Sequence, residues 1–136
     1  MSAWSEQRKH AFLKFIRTFD SGGYWEAHEI LEEVWKQDRQ DFYKGLIQVA
    51  AAWVHLQRNN RAGVLKVLPR ALGYLEKYPA TYYSWKLDKL ISDCRRCLTS
   101  VRNQEQTTVS PDGHCFIRMA TYYRNNLSRA RKRVSL

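Results

Sequence analysis

The sequence has few of the features that mark a membrane-embedded, secreted or disulfide-built protein. No stretch approaches the roughly 18 consecutive apolar residues that a membrane-spanning helix needs. The amino-terminal stretch MSAWSEQRKHAF lacks the apolar run and the small-residue cleavage site of a signal peptide. Three cysteines, an odd number, argue against a disulfide framework and fit a reducing compartment. We therefore expect a cytoplasmic protein.

The common signatures of nucleotide-binding and hydrolytic sites are also missing. The sequence contains no glycine-rich phosphate loop, no G-x-S-x-G elbow and no dinucleotide-binding fingerprint. Cys94 and Cys97, followed by His114 and Cys115, could form a zinc set, but adjacent His-Cys ligands are not a standard spacing. Buried cysteines on one helix face pack as small apolar residues. We therefore predict that Cys94 and Cys97 belong to the core.

Charge is abundant and unevenly distributed along the 136 residues. Residues 1–41 contain six Lys or Arg and eight Asp or Glu, whereas residues 42–136 contain seventeen and five, for a net charge of +10. This uneven distribution of charge allows electrostatic attraction to polyanions. It carries no information about the fold.

Apolar periodicity predicts an all-α fold, a compact bundle of about five helices. The predicted helices are residues 5–19, 24–37, 41–58, 61–77 and 85–102. The third is apolar nearly all round, which is typical of a central, buried helix. Pro69 should kink or restart the fourth helix. The aromatic linker 80–84 is predicted to pack against the body.

A polar stretch at residues 103–113 separates this body from the chain that follows, so we predict a helical bundle domain, 1–105, and a basic carboxyl-terminal extension, 106–136. Apolar residues spaced by four, three, four, three and four predict a helix in the extension: Phe116, Ala120, Tyr123, Leu127, Ala130 and Val134. The simplest interpretation packs this helix on the body. Binding of a polyanion or membrane surface, and disorder, are the alternatives. Nucleic acid would be bound through Arg124, Arg129, Arg131, Lys132 and Arg133.

Chemically capable side chains concentrate on the second and third helices. On the second, His28 and Glu32 are four residues apart and so are neighbours on the shoulder of the apolar face, beside Trp35. Glu29 and Glu33 point further outward, and Glu26 borders the opposite shoulder. On the third, one narrow polar stripe interrupts the apolar surface: Lys44, Gln48 and His55. Burying such groups without partners costs about 1–3 kcal/mol each, so the stripe requires partners or water.

Two interpretations of these residues remain open. In the first, Gln48 and His55 form a hydrogen-bonded network that fixes packing, and Glu29 is solvated. In the second, His28, Glu32 and His55 converge on a pocket or a divalent metal, because imidazole and carboxylate suit zinc, iron or manganese. The H-E-x-x-E arrangement lacks the second histidine of the zincin pattern, so a zinc protease is not expected.

The segments SGGYWEAHEILEEVWKQ and FYKGLIQVAAAWVHLQRNNRAGVLKVLPRALGYLEKY resemble the domain-of-unknown-function 309 family over about residues 12–102. The resemblance implies an α-helical bundle with no established activity. The family pattern falls on Glu26, His28, Glu29, Glu32, Trp35, Gly45, Gln48 and His55. This chain departs from it at Asn59, where glycine is usual, at Val64, and at Pro69.

We therefore predict a small binding module with a polar pocket or partner groove between the second and third helices. The predicted lining is Glu26, His28, Glu29, Glu32, Trp35, Gln48 and His55. The first alternative is a metal-assisted or acid–base hydrolase, with Glu32 or Glu29 as general base and His28 or His55 as acid or ligand. The second is nucleic-acid binding through the extension. A small molecule, a protein partner and a homo-oligomer all remain open.

Overall fold

Five helices make up most of residues 6–104 and 115–123, the part of the chain that the computed structural model describes. The helices are α1 (Glu6–Asp20), α2 (Tyr24–Gln37), α3 (Asp41–Gln57), α4 (Arg61–Leu75) and α5 (Leu87–Asn103). A hairpin of β1 (Thr81–Tyr82) and β2 (Trp85–Lys86) lies between α4 and α5, and a 3-10 turn spans Met119–Thr121. The predicted bundle is confirmed. None of the helices in these two ranges is both long and apolar enough to cross a membrane.

Each helix packs mainly against its neighbours in sequence, as short loops require. α3 lies between α2 and α4 and contributes the largest share of buried side chains, which confirms the prediction of a central helix. At the α3–α4 turn, Asn59 has a φ of 56°, a left-handed conformation that explains why glycine suits this position. Asn60 then caps α4, because its side chain accepts a hydrogen bond from Gly63 N at 3.0 Å.

α4 runs unbroken through Pro69, so of the predicted kink or restart at this residue, the restart is wrong. Proline keeps a helical φ and removes only one backbone donor. That loss is offset by packing, because one face of α4 is buried in the core: Val64, Leu68, Ala71, Leu72 and Leu75.

The aromatic linker packs against the body, as predicted, but as a two-residue hairpin that the sequence pattern did not indicate. Its turn residues Tyr83 and Ser84 have φ values of 48° and 68°. Such a turn ordinarily carries Asn-Gly or a similar pair, which explains why it was missed. Tyr82 stacks edge-on against Phe42 at 4.9 Å, and Trp85 is fully buried.

Residues 115–123 lie against the bundle in an extended stretch followed by the 3-10 turn, so the predicted helical stripe is wrong over this range. Alternate residues face inward: Cys115, Ile117 and Met119 are buried, whereas Phe116 is 74% exposed. The Asp20 carboxylate accepts hydrogen bonds from Met119 N and Ala120 N at 2.6 and 3.0 Å. The remainder of the stripe and the predicted nucleic-acid-binding residues from Arg124 onward lie outside the described ranges.

A disulfide between Cys97 and Cys115 joins this segment to α5, with the Cα atoms 4.5 Å apart. This corrects the expectation of unpaired cysteines, and it removes two members of the conceivable zinc set. The odd count concealed the pair, because Cys94 is free and buried in the core. Burial raises the pKa of the Cys94 thiol. Trp53 Nε1 donates to the Cys115 carbonyl at 3.1 Å, which ties the same segment to α3.

The disulfide predicts a thiol count and a stability difference. Under oxidising conditions the denatured protein should show one reactive thiol, Cys94, and Cys115→Ser should lower the free energy of unfolding by about 3 kcal/mol, the value for a loop of this size. Thiol labelling with mass spectrometry and urea denaturation would measure both. The wild-type protein should unfold like the variant after reduction. Three reactive thiols before reduction would contradict the pairing.

Gly45 permits a close approach of α3 and α4. A Cβ added at Gly45 would lie 2.5 Å from Leu75 Cδ2, whereas one at Gly73, on the exposed side of α4, would meet nothing within 4 Å. We expect Gly45→Ala to lower the free energy of unfolding by about 1–3 kcal/mol through overpacking. The matched change Gly73→Ala should raise it by about 0.5–1 kcal/mol through helix propensity. Equal effects of the two changes in chemical denaturation would be inconsistent with a close contact at Gly45.

Candidate functional site

α3 exposes a single stripe. Between Phe42 and Leu56, the side chains that are not buried recur at every third or fourth position, which places them on one side of the helix. They are Lys44, Gln48, Ala51 and His55, and we call them the α3 face. The structure therefore brings the predicted polar stripe to the surface and adds Ala51 to it. All four are half-buried, because helices flank the stripe on both sides.

The flanking helices are α2 and α4, both antiparallel to α3. At one end of the α3 face, Lys44 Nζ lies 4.9 Å from the ring centre of Trp35 in α2 and 5.7 Å from that of Tyr74 in α4. Toward the other end, Gln57 Nε2 donates to the Gly22 carbonyl, just before α2, at 3.1 Å. These contacts fix which residues lie at the same height on neighbouring helices.

His28 and Glu32 are neighbours on the α2 flank, as predicted. The distance from His28 Nδ1 to Glu32 Oε1 is 3.8 Å, which is an ion-pair distance when the imidazole is protonated. The His28 ring stacks on Trp25 with centroids 5.1 Å apart and planes 9° apart. The His28 side chain is 16% exposed, and its Nδ1 is buried without a hydrogen-bond partner. Stacking on Trp25 therefore orients the ring, and Nδ1 has no hydrogen bond among the described residues.

Trp35 forms the end of this flank, but cations cover its ring. Arg39 Cζ lies 4.3 Å from the ring centre, in addition to the Lys44 ammonium. Such contacts stabilise by about 0.5–1 kcal/mol at exposed sites. The indole Nε1 of Trp35 is buried and has no hydrogen-bond partner. Trp35, the predicted wall of the pocket, is thus an indole whose ring is in contact with two cationic side chains.

His55 is directed toward the α3–α4 turn. Its Nδ1 lies 3.1 Å from Asn60 Nδ2, and a Cβ added at Gly63 would come within 2.3 Å of the same nitrogen. Because α2 and α3 are antiparallel and Trp35 is level with Lys44, His28 lies level with Ala51, about one turn from His55. Within residues 6–104 and 115–123, no three His, Cys, Asp or Glu side chains group as metal ligands.

The remaining predicted residues differ in their surroundings. Gln48 is half-buried in the middle of the α3 face, level with Glu32 on one flank. Glu26 and Glu29 are exposed. Glu33 lies 3.1 Å from Lys36, its neighbour on the outer surface of α2. Sequence reasoning thus identified the α2 flank and most of the α3 face.

The α4 flank was missed. Antiparallel packing that pairs Lys44 with Tyr74 and His55 with Gly63 places Val67 level with Ala51 and Arg70 level with Gln48. Arg70 is exposed and Val67 is half-buried. The signal in the sequence was the spacing of four, three and four residues that places one set on one side of α4: Gly63, Val67, Arg70 and Tyr74. Nothing in the sequence says that this side adjoins the polar stripe.

Protonation of His55 is expected to weaken the fold. Burial, followed by the positive charge of Arg58, lowers the pKa of His55 below its ordinary value of 6.5. The unfolded chain therefore binds this proton at a higher pH than the folded chain. The resulting stability is fully present above about pH 6.5 and is lost as the pH falls toward the folded pKa.

Urea denaturation across this range would measure the effect. We expect the wild-type free energy of unfolding to fall more steeply below pH 6.5 than that of His55→Gln. His10→Gln, at an exposed position of α1, is the matched control and should keep the wild-type slope. Parallel profiles for the wild type and His55→Gln would show that His55 contributes nothing to the pH dependence.

Comparison with known proteins finds similarity in the part of the chain that contains α2 and α3. Residues 12–67 match the model of a family described as "Domain of unknown function (DUF309)". The chain is also 40% identical over 71 residues to "Uncharacterized protein YpuF" of Bacillus subtilis (strain 168). That match covers 48% of this chain and 41% of the relative, so the chain spans less than half of the relative's length.

Proposed function

We propose that this chain, whose residues 12–67 match the DUF309 family model, is a small binding module. Its contact surface is the α3 face together with the flanks that α2 and α4 provide. The module recognises a protein surface rather than carrying out a reaction.

The observation that carries this proposal is a pair of nitrogens without partners on the α2 flank. His28 Nδ1 and Trp35 Nε1 are both buried and accept or donate no hydrogen bond within the described residues. Leaving such a group unpaired costs about 1–3 kcal/mol, so buried polar atoms ordinarily have partners. Both residues border the α3 face, so a partner that displaces the side chains covering these nitrogens can supply the missing hydrogen bonds.

The dimensions of the surface favour a protein partner. Packed helices lie about 8–10 Å apart, so α2 and α4 are roughly 16–20 Å apart across α3. A helix with its side chains is about 10–12 Å wide and fits between two such flanks. The α3 face also offers mixed chemistry along its length, with a cation at Lys44, an amide at Gln48 and a methyl group at Ala51.

The hydrolase alternative has one acid–base pair, since His28 Nδ1 lies 3.8 Å from Glu32 Oε1. Its metal set also needs His55 to converge with that pair, whereas His55 contacts Asn60 and packs on Gly63. Nucleic-acid binding through the basic extension stays a prediction, because Arg124, Arg129, Arg131, Lys132 and Arg133 lie outside the described ranges.

Photo-crosslinking from the α3 face tests the proposal and requires no candidate partner. Gln48 is replaced by p-benzoylphenylalanine in the full chain, and the matched control carries the same group at Ser92, an exposed position of α5. Irradiation in cells should give a protein adduct from position 48 and none from position 92. Lys44→Ala should reduce the yield of that adduct. No adduct from position 48, or equal adducts from both positions, would rule out the α3 face as the contact surface.

A further inference from the structure

The two flanks of the α3 face carry opposite charge. α2 contains four glutamates and one lysine, whereas α4 contains two arginines, one lysine and no acidic residue. The net charges of the two helices are therefore −3 and +3. Since α3 separates them, one side of the surface is acidic and the other is basic.

Most of these charges remain available on the outer surface. On α2, Glu29 is exposed and the Glu32 side chain is 45% exposed. On α4, Lys66 and Arg70 are exposed. Arg61 is committed elsewhere, because its Nε and Nη2 donate to carbonyls at the end of α5 at 3.2 Å. The basic flank is thus formed by Lys66 and Arg70.

We propose that the α3 face binds a second copy of this chain. The inference rests on the proposed function and names its partner. A surface with one acidic and one basic flank is complementary to itself, as a twofold-symmetric interface requires. The mixed charges also disfavour a partner of uniform sign, since like charges brought together across an interface cost several kcal/mol.

The charges of the two flanks also favour one of two possible orientations of the twofold axis. A twofold axis parallel to α3 places α2 of one protomer over α4 of the other, so that opposite charges meet on both sides. A twofold axis in the interface but perpendicular to α3 places α2 over α2 and α4 over α4, so that like charges meet. The dimer therefore has its two α3 helices side by side and parallel.

This arrangement specifies the contacts. A rotation about an axis parallel to α3 keeps each residue at its own height. It therefore also brings the two Lys44 side chains level, each with its ammonium between the Trp35 and Tyr74 rings of its own protomer. Glu32 and Arg70 lie level with Gln48 on opposite flanks, so Glu32 faces the partner's Arg70, and the pair occurs twice. At the axis, the Gln48 amide can donate to and accept from the partner's Gln48. Ala51 is small enough to let the two α3 helices approach.

Exchange of the paired charges tests the dimer. Sedimentation equilibrium of the full wild-type chain should show a monomer–dimer equilibrium whose Kd rises with salt. Glu32→Arg and Arg70→Glu should each raise the Kd at least about tenfold, because each homodimer then contains two like-charge contacts. An equimolar mixture of the two variants should regain dimerisation, since both contacts become opposite in charge. The double variant should regain it alone.

Controls separate charge from folding and from the broader proposal. Both positions are accessible at the surface, so circular dichroism should show unchanged helicity, and Lys89→Glu on α5 should leave the Kd unchanged. A wild-type monomer at every concentration, or dimers unaffected by either single exchange, would overturn the proposal. A monomer whose position 48 crosslinks to a different protein leaves the binding function standing without self-association. A monomer that gives no adduct from position 48 would contradict both the binding function and the dimer.

Discussion

The close contact between α3 and α4 sets the geometry on which both the core and the α3 face depend. Two glycines permit it, one at each end: Gly45 faces Leu75, and Gly63 receives the ring of His55. With α4 held this close, ten side chains of α3 become buried beside Gly45, and only one stripe of the helix remains at the surface. The same contact brings Tyr74 to Lys44 and thereby makes α4 a flank of that stripe. The packing of α3 in the core and the chemistry of its exposed stripe therefore both follow from the spacing between α3 and α4.

The helices were predictable because the apolar residues of each recur with helical periodicity. α3 was predictable as the central helix because it is apolar nearly all round. The hairpin was not, since Tyr83 and Ser84 adopt positive φ without the residues that ordinarily announce it. In the extension, Phe116 and Ala120 have a helical spacing, yet Phe116 lies in an extended stretch and Ala120 in a 3-10 turn, and burial alternates from Cys115 to Ala120. Short apolar patterns fit either period, so tertiary contacts decide.

The candidate site, like the fold, was predictable only in part. Projection onto a helix correctly grouped Lys44, Gln48 and His55, because that grouping depends only on helical geometry. It did not show that His55 is held by Asn60, since a turn determines that contact. It also did not reveal Arg70, because the helix that flanks a stripe is a property of the fold. Local periodicity therefore gives the composition of a helix face, and only the arrangement of helices gives its surroundings.

The docking of residues 115–123 has a consequence for the order in which the protein folds. The Asp20 carboxylate in α1 accepts hydrogen bonds from the backbone N–H groups of Met119 and Ala120, about 100 residues later in the chain. The bridge from Trp85 to Tyr123 closes over the aromatic core. Contacts this distant in sequence form slowly, because the intervening chain must first be brought together. Synthesis proceeds from the amino terminus, so α1 leaves the ribosome long before its partner exists. The Asp20 carboxylate and the side of the Trp85 ring that contacts Tyr123 therefore stay uncovered until residues 115–123 have been synthesised, so the core cannot be completed before that segment is available.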